Sequence, residues 1–254
     1  MSSILLLCGL ALVAGFVDSV VGGGGLIQIP ALLILLPGVP VPTILGTNKL
    51  SALAGTTFAA QRYARHVKID WHLVAPSAVT AAFFSFLGAK TLTLVNSSFL
   101  RPIVFALLII VAIYVFFVKD LGLIHKPKHA RGKARWLGIL IGAGLGFYDG
   151  FFGPGTGSFL IFLFVGVFGF DFLAASASAK AVNCATNLAC VVFFAATNQI
   201  LYSVALPMAA CNVAGSLAGT QMAILNGSRF VRLVFLAIVL ALIARLAQQM
   251  FWQQ

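Results

Sequence analysis

Gly15-Phe16-Val17-Asp18-Ser19-Val20-Val21-Gly22-Gly23-Gly24-Gly25 has a second version in the same chain, Gly146-Phe147-Tyr148-Asp149-Gly150-Phe151-Phe152-Gly153-Pro154-Gly155-Thr156. Each copy runs from apolar sequence into an aspartate and then into glycines. Glycine costs about 1 kcal/mol relative to alanine in a helix interior, so four in succession predict that the helix stops there. What surrounds these stops decides the solvent. The 254 residues are 61% hydrophobic and 8% charged, with mean hydropathy +1.08, far from the roughly half-apolar, quarter-charged make-up of a soluble domain.

Apolar runs lie near 4–21, 26–37, 43–61, 71–94 and 100–118, then near 136–152, 157–170, 175–197, 200–224 and 230–250. Several reach the roughly 20 residues that span a hydrocarbon core, whereas 26–37 and 157–170 fall short and read as broken or re-entrant helices. The fold class is therefore an all-α, multi-pass integral membrane protein.

Sliding the chain against itself gives one informative register, an offset of 131 residues that sets Gly15 on Gly146 and Asp18 on Asp149. In that register Gly22, Gly24, Lys49, Pro76, Gly88, Phe99 and Arg101 fall on Gly153, Gly155, Lys180, Pro207, Gly219, Phe230 and Arg232. Apolar matches recur by chance in so apolar a chain; paired acids, lysines, arginines and prolines do not. The expected organisation is two tandem repeats, 1–118 and 136–254, each of about four or five membrane helices, joined by a basic linker at 119–135.

The net charge of +11 would point to nucleic acid in a soluble protein, but the basic residues cluster between apolar runs, where they set topology. No nucleic acid is expected; anionic lipid headgroups are the expected partners. If each glycine-interrupted pair crosses twice, or enters and leaves on one side, each half has an odd number of crossings and the repeats are inverted. Eleven Lys/Arg then lie inside against three outside (Lys90, Arg101, Arg245), with Lys49 and Lys180 in the membrane. A parallel arrangement gives ten against four, so charge favours inversion. Tyr63, Trp71, Trp136, Tyr202 and Trp252 sit near helix ends, as interfacial anchors do.

Two constellations carry candidate chemistry. Non-helical backbone at membrane depth needs burial in protein or a watery cavity, and paired broken helices in two repeats point to a transporter's central site. Gly22, Gly23, Gly24 and Gly25, with Gly153, Gly155 and Thr156, should leave N–H groups that attract anions at the starts of the following helices, aided by Gln28 and Ser158. Close helix packing is the plainer role for small residues. The second constellation is Thr47-Asn48-Lys49-Leu50-Ser51 with Ser178-Ala179-Lys180-Ala181-Val182-Asn183, and Asn187 one turn on. A lysine inside a membrane helix costs about 3 kcal/mol on insertion scales and needs a partner. Lys49 and Lys180 either hold an anion, with Asn48 and Asn183, or pair structurally with Asp18 and Asp149. The two aspartates are also candidates for ion coupling.

Phosphate-loop, zinc-protease and nucleophile-elbow motifs are missing, and there is no glutamate, so no enzyme, cofactor or catalytic residue is expected. Cys8, Cys184, Cys190 and Cys211 are scattered in apolar runs and the histidines sit in loops or at helix ends, so no metal site is expected. The amino terminus lacks the basic region of a secretory signal, and no cleavage is expected.

The Gly15-Phe16-Val17-Asp18 and Gly22-Gly23-Gly24-Gly25-Leu26 segments, Gly46-Thr47-Asn48-Lys49-Leu50, and Gly146-Phe147-Tyr148-Asp149-Gly150-Phe151-Phe152-Gly153-Pro154-Gly155 together resemble the sulfite exporter TauE/SafE family of membrane permeases. The resemblance covers essentially the whole chain. It implies carriage of sulfite, sulfonates or related small organic anions across a prokaryotic inner membrane. The paired aspartates favour a secondary carrier with alternating access, coupled to H+ or Na+. A passive anion channel would use the same charges, and a membrane subunit serving a partner protein would need larger soluble parts. Substrate identity, direction and oligomeric state are not written in the sequence.

Overall fold

A computed structural model describes residues 2–94 and 130–252. The apolar run at 100–118, most of the linker 119–135 and Arg101 lie outside the described residues, as do the side chains of Arg232, Arg245 and Trp252. The described elements are helices: α1 (Ser2–Val21), α2 (Gly25–Leu35), α3 (Val41–His66), α4 (Trp71–Leu94), α5 (Arg131–Phe151), α6 (Thr156–Gly166), α7 (Phe172–Ala196) and α8 (Tyr202–Trp252). Gly227 interrupts α8, with φ 66° and ψ −163°. The expected stops occur: α1 and α5 end at the glycine segments, and α2 and α6 are each 11 residues. At 1.5 Å per residue these are about 16 Å long, roughly half a hydrocarbon core. Their bounds lie 131 positions apart.

Helix starts follow local chemistry. Pro40 precedes α3 and Pro42 occupies its first turn, where no backbone N–H bond is lost. Asp171 caps α7, its Oδ1 accepting from the N–H groups of Leu173 at 2.9 Å and Ala174 at 3.0 Å. Among the described residues four helical stretches are long and apolar enough to cross a membrane: Ser3–Val21, Trp71–Leu94, Phe172–Ala196 and Tyr202–Val231. The protein is a multi-pass membrane protein.

Backbone-to-backbone approach joins α1 to α8 and α4 to α5. A Cβ on Gly215 would strike the Leu12 carbonyl and one on Gly219 the Phe16 carbonyl, so α1 and α8 run in the same direction. Gly142, Gly146 and Gly150 meet the carbonyls of Ser77, Ala81 and Ser85 in turn, so α4 and α5 also run together. The two seams correspond at the 131-residue offset: Gly15 on Asn212 matches Gly146 on Ala81, and Gly219 on Phe16 matches Gly88 on Phe147. Without a hydrophobic driving force between helices in lipid, such close small-residue contact supplies the packing. Helices α3 and α7 cross between the seams, with Thr57 on Cys184 and Thr56 on Asn187.

Two apolar clusters form the interior. One gathers Val17, Val20, Leu160, Phe164, Phe168 and Phe170; the other gathers Leu7, Ile29, Leu32, Ile44, Phe194 and Met208. Tyr63 departs from its expected interfacial place. It is fully buried, donating to the Ser19 carbonyl at 2.9 Å, because that carbonyl next to the α1 break needs a donor. Trp71, Trp136 and Tyr202 are exposed as anchors would be.

Apart from Lys49, Lys180 and Lys90, the described lysines and arginines of the loops gather at one end. Arg62 hydrogen-bonds Gln221 of α8, and Lys68, Trp71 and Arg131 line one cavity of about 780 Å³ with Asp171. Lys90, late in α4, lies at the other end.

Packing at this distance sets a test. Gly146→Leu places side-chain atoms into the Ala81 backbone, whereas a Cβ on Gly144 meets nothing within 4 Å. Overpacking costs about 1–3 kcal/mol, so Gly146→Leu should lower the melting temperature in detergent by several degrees and Gly144→Leu should leave it unchanged.

Candidate substrate site at the helix breaks

At Gly22 the chain turns to a positive φ of 69°, and its N–H still bonds to the Asp18 carbonyl at 2.9 Å. The next two N–H groups, of Gly23 and Gly24, both point at Asp18 Oδ1, each at 3.2 Å. Asp18 Oδ2 meanwhile accepts from Lys180 Nζ at 2.7 Å. One carboxylate therefore satisfies the donors that open α2 and the buried ammonium of the other half. The N–H groups expected to await an anion at the first break, from Leu26 onward, bond to the Gly23 carbonyl at 2.9 Å and the Gly24 carbonyl at 3.0 Å.

The second break is built differently. Gly153 and Gly155 take φ of 92° and 80°, Tyr148 Oη donates to the Pro154 carbonyl at 2.7 Å, and Thr156 Oγ1 donates to the Gly153 carbonyl at 2.8 Å. Asp149 leaves this turn alone. Its Oδ2 lies 2.7 Å from Lys49 Nζ. Lys49 directs a hydrogen bond to Asn187 Oδ1 at 3.1 Å, and Asn187 Nδ2 donates to Thr56 Oγ1 at 3.4 Å.

The two ion pairs are thus crossed: each lysine takes the aspartate of the opposite half. The breaks themselves touch. Ser158 Oγ donates to the Val21 carbonyl at 3.0 Å and also bonds to the Gly22 carbonyl, and a Cβ on Gly22 would come within 2.6 Å of Gly157 Cα. Gln28 gives its amide to Ser51 Oγ at 3.3 Å. The hydroxyls of Thr156 and Ser158 and the amide of Gln28, expected as ligand donors, hold the turns and helices together instead.

Between the pairs lies a cavity of about 30 Å³, room for one or two water molecules. Of the sequence candidates, Asp18, Gly23, Gly25, Asn48, Lys49, Asp149, Gly153, Gly155, Thr156 and Asn183 line it. Gly22, Gly24 and Lys180 do not: Gly22 seals against Gly157, Gly24 lies beneath Asp18, and Lys180 is fully buried behind it. Ala52, Gly157 and Asn187 complete the wall. Asn187 could be anticipated from its place one turn beyond Asn183; Ala52 carries no chemical signal. Asn48 and Asn183, 4% and 6% exposed, have amide oxygens without a hydrogen-bond partner.

Buried charges crossed between halves, glycine-broken half-helices and a polar cavity at their meeting point define a membrane transporter rather than an enzyme. The chain belongs to the family described as sulfite exporter TauE/SafE, whose model matches residues 7–246. It is 36% identical to a probable membrane transporter protein, ORF9, of Sinorhizobium sp, over 93% of this chain and 89% of the relative. It is 32% identical to a probable membrane transporter protein of Haemophilus influenzae, over 94% and 92%. With the probable membrane transporter protein YfcA of Escherichia coli K12 it shares 29% identity over 93% and 86%. No solved structure matches the chain significantly.

Removing one partner of a buried pair costs about 3–5 kcal/mol, while replacing both by apolar groups is often neutral. Lys49→Met alone should therefore sharply lower the melting temperature, and Lys49→Met with Asp149→Leu should restore most of the loss. Additive single effects would show that the two side chains do not pair.

Proposed function

We propose that this protein is a secondary transporter moving a small anion, such as sulfite, a sulfonate or a related organic anion, across the inner membrane, coupled to H+ or Na+. The observation that carries the reading is the pair of crossed Lys–Asp contacts, Lys49 with Asp149 and Lys180 with Asp18, bracketing a polar cavity at two helix breaks. Four charges in low dielectric are expensive to keep, and residues of this kind mark ion and substrate paths in membranes. Lys49, Asn48, Asn183 and the N–H groups opening α6 bind the anion. Lys180 acts through Asp18, and Asp18 and Asp149 answer the coupling ion or proton.

The arrangement as inverted repeats, 1–118 and 136–254 around the linker 119–135, belongs to the same proposal. It is supported by matching element bounds and by seams and ion pairs that correspond at the 131-residue offset. Direction supports it too: α1 and α3 each run with α8, while α5 runs with α4, which the four-residue loop after α3 turns back. Equivalent helices α1 and α5 then point oppositely. The gathering of Arg62, Arg65, Lys68, Arg131, Lys133 and Arg135 at one end supports assigning that end to the cytoplasm.

A passive anion channel would use the same charges. A cavity of only about 30 Å³ supports a carrier, since an anion larger than one or two waters must wait for the walls to part.

The test is uptake of sulfite and sulfonates into proteoliposomes with and without imposed pH or Na+ gradients. Wild type should show saturable, gradient-dependent flux and counterflow, and Lys49→Gln with Asp149→Asn, a folded double variant, should lose at least about tenfold of it. Unchanged flux in that variant would remove Lys49 from the site, and ohmic current without counterflow would make the protein a channel.

A further inference from the structure

Resting on the reading of this cavity as an anion site, we infer that the cargo it carries best is a hydrogen-bearing monoanion, an oxyacid that has kept one proton, in preference to a dianion or to an anion without a donor.

The first argument is charge. Lys49 with Asp149 and Lys180 with Asp18 cancel. What remains is the opening of two half-helices, α2 and α6, each equivalent to about half a positive charge. One negative charge balances that remainder. A second would stand unanswered in a low-dielectric centre, where uncompensated charge is most costly.

The second argument is hydrogen bonding. Every other charged side chain lining the cavity is engaged: Asp18 by Gly23, Gly24 and Lys180, and Lys49 by Asp149 and Asn187. Asn48 and Asn183 are not, although both are more than nine-tenths buried and both face the cavity. A carboxamide carries an acceptor and a donor side by side, and this holds whichever way the amide is turned. The group that meets such an edge squarely offers a donor next to an acceptor, as HO–S–O or HO–P–O does. A fully deprotonated oxyanion offers only acceptors, so it would leave an amide oxygen facing a lone pair. This proton travels on the cargo and is distinct from any that Asp18 or Asp149 takes up in coupling.

Methylphosphonate and methanesulfonate separate this from the broader reading. Below methylphosphonate's second ionisation the two are monoanions of the same shape, and one proton distinguishes them. An unmet buried acceptor costs about 1–3 kcal/mol. Wild-type proteoliposomes should therefore move hydrogen methylphosphonate at least about tenfold more efficiently than methanesulfonate, and lose that preference above the ionisation. Asn48→Leu and Asn183→Leu, checked for folding, should narrow it. Equal handling of the two anions overturns the inference and leaves the anion-carrier reading standing. If both methyl compounds are refused, sulfite decides: flux following the hydrogensulfite fraction supports the inference, and flux following the dianion overturns it. No flux of any of these anions overturns both readings.

Discussion

Charge buried in a membrane protein has to be answered by a neighbour, and here each buried lysine is answered by an aspartate of the opposite half of the chain. Lys180 has no exposure and one strong partner, Asp18; Lys49 is almost as buried, between Asp149 and Asn187. Neither half can keep its lysine in lipid alone. The glycine breaks, the close seams of α1 on α8 and α4 on α5, and the crossing of α3 with α7 all serve to bring those partners within 3 Å. Two apolar clusters form the hydrophobic interior around them.

The two breaks resemble each other in sequence and differ in wiring. Asp18 folds back on the N–H groups of Gly23 and Gly24, so those two donors are already taken. Asp149 reaches away to Lys49 and leaves Gly155, Thr156 and Gly157 lining the cavity. A carrier whose halves exchange roles would pass this asymmetry from one break to the other. The carboxylate released from one turn would then leave room for an anion there.

Much of this architecture is legible in sequence because glycine, lysine and aspartate are rare signals in apolar surroundings. The stops after Val21 and Phe151, the short helices that follow, and the depth of Lys49 and Lys180 all follow from cost in a helix or in lipid. Partner choice is not legible: 138 residues separate Lys49 from Asn187 in the chain, and only the crossing of α3 with α7 joins them. Tyr63, flanked by Arg62 and Arg65, has the composition of an interfacial anchor, and its burial depends on the Ser19 carbonyl left near the α1 break. The hydroxyls of Thr156 and Ser158 are indistinguishable in sequence from ligand donors, yet each has a nearby carbonyl that only the folded turns supply.

The central claim is that one buried cavity between the breaks is reached from each side of the membrane in turn. Ala52, which lines that cavity without holding either ion pair, offers the most direct probe. In a background lacking Cys8, Cys184, Cys190 and Cys211, Ala52→Cys should react with a membrane-impermeant thiol reagent in right-side-out and in inside-out vesicles. Transported anion should slow labelling in both. Labelling from one face only, or labelling that cargo never slows, would contradict the account.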